Sequence, residues 1–149
     1  MPQMSGSITD NGAVIDVFVG VGRARRAFLE RRHFLIPPKI RLRAQLDTGS
    51  AVTGFTPAVF AQLGTPRIDV VPIRTPSTTP GSPHYAPMYE VTLSLVSGID
   101  LTDLTVYAVA CADFDRDPEG DVHGIIGRDV LDRCTLFYLG REAAFQFAW

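Results

Sequence analysis

Residues 43–50 read Arg43-Ala-Gln-Leu-Asp-Thr-Gly-Ser50. They close an alternating run in which Ile40, Leu42, Ala44 and Leu46 are separated by Arg41, Arg43, Gln45 and Asp47. A period of two marks a half-buried strand, because successive side chains leave opposite faces. The strand therefore delivers Asp47 to its end, on the face opposite Leu46. An acid, a hydroxyl, a glycine and a second hydroxyl form either an Asx-type turn or half of an active site. The remainder of the chain separates these two readings.

With 149 residues the chain suffices for one domain with a sizeable core. Its formal net charge of -2 opposes a phosphate-backbone partner, so no nucleic acid is expected. No apolar stretch is long enough to span a bilayer, and no membrane partner is expected. The polar start, Met1 to Asp10, has no charged segment leading into an apolar block and is not a signal peptide. Residues 1–12 are expected to form a flexible tail, and residues 13–149 the folded domain. Cys111 and Cys134 fit no metal spacing and read as free buried thiols of a reducing cytoplasm.

Ala13 to Val19 is a first strand by its β-branched content. Arg23 to Pro38, with Arg23, Arg25, Arg26, Arg31 and Arg32, reads as a solvated loop or short helix, the alternative being a contact with an anionic partner. Gly20-Val-Gly22 is not a dinucleotide loop, since Arg25 occupies the position of the third glycine. Thr56, Pro57 and Gly64 are the cap, first position and terminator of a short helix. A strand near Ile68 to Ile73 and another from Tyr89 to Leu95 flank a Pro/Ser/Thr-rich stretch. Residues 73 to 93 thus predict a long hairpin with an exposed tip. Leu104 to Ala110 is a further strand.

Asp113, Asp115, Asp117, Glu119 and Asp121 suggest a calcium loop, but Pro118 and Gly124 stand where an EF-hand needs glycine and glutamate. The run reads as a solvated acidic turn, and no metal site is expected. Arg128 to Cys134 predicts one or two helical turns. Thr135 to Leu139 and Ala144 to Phe147 form a terminal hairpin around Gly140-Arg141.

This order resembles the retropepsin-like aspartic proteases, single-domain relatives of pepsin. Leu46-Asp47-Thr48-Gly49-Ser50 resembles their catalytic motif. Ile125-Ile126-Gly127-Arg128-Asp129-Val130-Leu131, about eighty residues later, is similar to their second signature. Cys134-Thr135-Leu136 leads into terminal strands as in the family. The resemblance implies an all-β chain with one or two short helices, folded as a closed β-barrel with a flap hairpin.

It further implies an aspartic endopeptidase needing no cofactor, whose partners are a peptide or protein substrate and a second copy of itself. Two carboxyl groups held close share one proton, so one can activate water while the other polarises the scissile carbonyl. Only one Asp-Thr-Gly is present, so a homodimer would supply Asp47 twice. Asp47, Thr48 and Gly49 are the implied catalytic residues, with the Thr48 hydroxyl locking the two loops together. Ser50, Ala51, Thr79, Pro80, Gly81 and Ser82 are the implied substrate contacts, and by resemblance the Ser50 hydroxyl bonds the catalytic carboxyl. Ile126, Gly127 and Arg128 are structural neighbours of the site. Arg128 is expected to pair with an acid, Asp129 or Asp132, or with the partner chain. Phe137, Tyr138, Phe145 and Phe147 would lie in the dimer interface. The alternative is a protease-like module that binds peptide or dimerises with catalysis weak or lost.

Overall fold

A computed structural model of the chain describes residues 1–74, 79, 81–98, 100–112 and 122–149. Among the described residues ten strands and three short α-helices follow one another, with a 3-10 turn at Gly140–Glu142. They are β1 (Gln3–Thr9), β2 (Gly12–Val21), α1 (Arg23–Arg31), β3 (Ile40–Leu46), β4 (Gly54–Phe55), α2 (Pro57–Leu63) and β5 (Asp69–Ile73). After them come β6 (His84–Ser97), β7 (Asp100–Ala110), β8 (Gly124–Ile126), α3 (Arg128–Leu131), β9 (Thr135–Leu139) and β10 (Ala144–Ala148).

The strands pair in the order β5-β6-β7-β4-β8-β3-β2-β1-β10-β9, and an additional β6–β2 pairing closes a ring of six. Closure leaves β2, β3, β8, β4, β7 and β6 without a free edge, which is how small β-proteins remove unpaired backbone from solvent. The all-β class, the closed barrel and the hairpin of the sequence reading are all present. The alternation in β3 is realised as expected: Leu42, Ala44 and Leu46 are buried while Arg41 faces solvent. With them pack Ile15, Val17 and Val19 of β2, Val91 and Leu93 of β6, and Phe55. Each large side chain buried in this way contributes roughly 1.5–3 kcal/mol.

α2 begins with Pro57 in its first turn and ends at Gly64, whose φ of 59° is left-handed. Thr56 occupies the cap position, but its side chain makes no capping bond there. The arginine-rich connection contains α1, seated on β6 where the Ala24 N–H donates to Glu90 Oε1 at 3.1 Å.

The expected tail is corrected. Residues 3–9 form β1, paired with β10 from Gln3↔Ala148 to Ser7↔Ala144 and with β2 at Ile8↔Ala13. Its inward positions are Met4, Gly6 and Ile8, and a Cβ on Gly6 would lie 2.6 Å from the Phe145 ring. The strand looks polar because one inward position must be empty for that ring. The terminal aromatics also divide. Phe145 and Phe147 are buried in the core of their own chain, whereas Phe137 and Tyr138 are 55% and 58% exposed on β9, the last strand of the sheet. The acidic segment from Asp113 to Asp121 lies outside the described residues.

Candidate active site

Asp47 is the first residue after β3. β3 runs parallel to β8, pairing Leu46 with Ile126, and the Asp47 N–H extends the ladder to Ile126 O at 3.0 Å. The chain then crosses the end of β8 and returns on its other side as β4, antiparallel, with Gly54 opposite Ile125. Residues 47–53 therefore arch over the end of β8, where α3 begins.

Several hydrogen bonds hold this arch. Asp47 Oδ1 accepts the Gly49 N–H at 2.9 Å, and Asp47 O accepts the Ser50 N–H at 3.3 Å. Ser50 O accepts the Arg128 N–H at 2.9 Å, and the Arg128 guanidinium donates to Thr48 O at the same distance. Asp129 clasps the far side. Its Oδ2 accepts the Thr53 N–H at 3.0 Å, and its Oδ1 accepts the Thr53 hydroxyl at 2.7 Å. The fully buried Thr53 hydroxyl in turn accepts the Gly127 N–H at 3.1 Å. Gly127 is required by space: a Cβ there would sit 2.5 Å from the Val52 carbonyl carbon and oxygen.

The arch opens onto a cavity of about 370 Å³. Val52, Ile73, Val109 and Ile125 form its apolar walls, Arg74 stands at the hairpin side, and Asp47 is its one acid among the described residues. Ile73 and Arg74 end the first arm of the β5–β6 hairpin, whose register runs from Asp69↔Met88 to Ile73↔His84. At the tip the Ser82 N–H donates to Thr79 O at 3.0 Å, and Gly81 has φ +85°. That left-handed backbone is one glycine adopts without steric cost.

No protein-family model matches the chain, and no significant match is found among curated proteins. Among solved structures, the crystal structure of a retropepsin-like aspartic protease from Rickettsia conorii superposes with a TM-score of 0.54. The match covers 99% of this chain and 90% of that one, at 17% identity. The chain has the retropepsin-like fold.

Within the retropepsin-like fold, the sequence-derived residues are placed unequally. Asp47, Gly49 and Ser50 line the cavity. Thr48 and Ala51 are exposed on the arch. Thr79, Gly81 and Ser82 sit at the hairpin tip and do not line the cavity, while Pro80 lies outside the described residues. Ile126 is buried behind the arch and Gly127 packs against Val52.

Two expectations are corrected. The Ser50 hydroxyl donates to Val52 O at 2.7 Å, not to the Asp47 carboxyl, because the loop turns it back onto its own backbone. Arg128 makes no ion pair with Asp129 or Asp132: it donates to a backbone carbonyl, and Asp129 is already occupied by Thr53. Sequence reasoning missed Thr53 and its bonds to Asp129, and the positions of Arg74 and Cys111 on the cavity wall. Only Asp129 left a signal, as an acid in the first turn of a helix. Both cysteines are half-buried and neither is joined in a disulfide, and burial pushes the Cys134 thiol up.

Proposed function

We propose that the chain is an aspartic endopeptidase that acts as a homodimer, with Asp47 of each copy forming the catalytic pair. The observation that carries this reading is a single carboxyl group on a braced arch, facing an apolar cavity under a hairpin. One carboxyl group cannot share a proton with itself, and a twofold axis through the arch supplies its equal.

The pair titrates as a unit. Its ionised member takes a proton from water as that water attacks the scissile carbonyl carbon. The protonated member donates to the carbonyl oxygen, and a proton then passes to the departing amine. The Gly49 N–H donated to its carboxyl group and its own N–H donated to Ile126 O orient Asp47. The exposed Thr48 faces the partner loop and bonds its backbone. Ser50, Ala51 and the Thr79–Ser82 tip, with Pro80, contact an extended substrate held as an added strand. β9, with its open edge and exposed aromatics, contributes to the dimer contact. Cysteines that form no disulfide fit a reducing compartment, the cytoplasm.

The test is cleavage of a diverse peptide mixture, read by mass spectrometry, with wild type and Asp47→Asn at concentrations where the dimer is verified. Asp47→Asn lowers turnover by at least about a hundredfold while the fold persists. Equal cleavage by both proteins would remove Asp47 from the mechanism. No cleavage by a verified dimer would favour a peptide-binding module.

A further inference from the structure

The arginine-rich connection between β2 and β3 ends in a side-chain arrangement that the protease reading leaves unused. α1 terminates in a Schellman motif: the Phe34 N–H donates to Leu29 O at 2.9 Å and the His33 N–H to Glu30 O at 3.1 Å. His33 takes the left-handed position, φ 56°, where glycine is the usual residue. A strained cap in place of glycine fixes the direction of the next two residues. Those residues are apolar and point outward: Phe34 is 59% and Leu35 94% exposed.

Cations surround them. Residues 23–32 hold five arginines against one acid, Glu30, in a chain whose net charge is -2. Arg26 is spent on Glu30 at 3.0 Å. Arg25 and Arg32 lie over the half-exposed Phe28 ring, at 5.4 and 5.8 Å from its centroid. Arg23 and Arg31 make no ion pair among the described residues.

We propose that this tip docks the protein reversibly on an anionic lipid surface, with Phe34 and Leu35 entering the headgroup boundary and the arginines meeting lipid phosphates. A convex apolar pair needs a matched pocket in a protein partner, but a fluid interface accepts it without one. A nucleic acid would satisfy the arginines and leave Leu35 in water. The absence of a spanning helix among the described residues concerns crossing a bilayer, not lying on it.

The placement suits the proposed chemistry. α1 and its loop join the end of β2 to the start of β3, and Asp47 leaves β3 at the opposite end. The seven residues of β3 separate the two by about 20 Å. Docking by the tip leaves Asp47 at the end of β3 remote from the lipid. With two apolar side chains and few free cations, binding is weak, salt-sensitive and reversible.

The test is flotation of the full chain with vesicles of phosphatidylcholine, alone or with about one-third phosphatidylglycerol, at about 50 and about 500 mM salt. Capture is expected on the anionic vesicles at low salt only. It should weaken at least about tenfold in Phe34→Ser/Leu35→Ser and in Arg31→Glu/Arg32→Glu, with circular dichroism unchanged. Leu35→Ser alone serves if a double variant misfolds. Absence of capture at low salt would overturn the proposal. So would capture that survives loss of both apolar residues. Self-association abolished by Phe34→Ser/Leu35→Ser, without lipid capture, would assign the tip to protein contacts instead. None of these outcomes depends on whether Asp47 is catalytic.

Discussion

Replacing Thr53 by valine tests whether the Thr53–Asp129 clasp braces the arch. Valine conserves shape, so no cavity forms, and the effect isolates the hydroxyl. That hydroxyl donates to Asp129 Oδ1 at 2.7 Å and accepts the Gly127 N–H at 3.1 Å, with Thr53 wholly buried. A hydrogen bond to a charged acceptor contributes about 1.5–3 kcal/mol, and a buried N–H left without a partner costs about 1–3 kcal/mol. The two share one atom and do not add fully, so the expected loss is about 3 kcal/mol. For a domain of this size that lowers Tm by about 6–12 °C.

Urea unfolding at fixed protein concentration is the assay, because the proposed dimer would make apparent stability depend on concentration. The midpoint should fall with the slope m unchanged. Thr53→Ser, which keeps the oxygen, should lose less than half as much. A Thr53→Val protein within about 0.5 kcal/mol of wild type would refute the reasoning.

Three further outcomes follow from the same geometry. Gly127→Ala places a methyl group 2.5 Å from the Val52 backbone, which cannot rotate away; a loss of about 1–3 kcal/mol or insoluble protein is expected, and a wild-type melting curve would contradict it. Burial pushes the Asp103 carboxyl up, yet hydrogen bonds from Ser94 and Lys39 and the charges of Lys39 and Arg26 outweigh it and hold the carboxyl below its usual range. Its stabilising contribution is therefore complete above the ordinary carboxylate value of about 3.9 and is lost as pH falls through the lowered folded value. Asp103→Asn should flatten the acid limb of stability against pH below about 4, and an unchanged limb would count against this assignment. On the proposed function, Arg74, the one cation lining the Asp47 cavity among the described residues, should favour acidic side chains near the cleaved bond. Arg74→Glu should lower kcat/KM for such peptides by about tenfold relative to lysine-bearing ones, and an unchanged ratio would exclude that role.

Much of the barrel was legible because its signals are local. The alternation of β3, the proline and glycine bounding α2, and the aromatic pattern of the terminal hairpin each depend on neighbours a few residues apart. β1 was not legible, since Gly6 is empty on account of Phe145, far along the chain. In the sequence α1 is legible only as a loop or short helix: its buried residue is Leu29 alone, and its polar anchor, Glu90, lies far along the chain on β6.

By itself the sequence determined where Asp47 stands: at a strand end, followed by residues that turn. The Leu42, Ala44 and Leu46 pattern admits one burial face, and a shift of one residue would expose it. Only the tertiary structure decided what surrounds that acid. Arg128 on Thr48 O, Asp129 on Thr53, and Ile73 and Arg74 beside the cavity join residues separated by tens of positions. Such contacts depend on which strands close the barrel, and strand periodicity specifies a face to bury but not the partner that buries it.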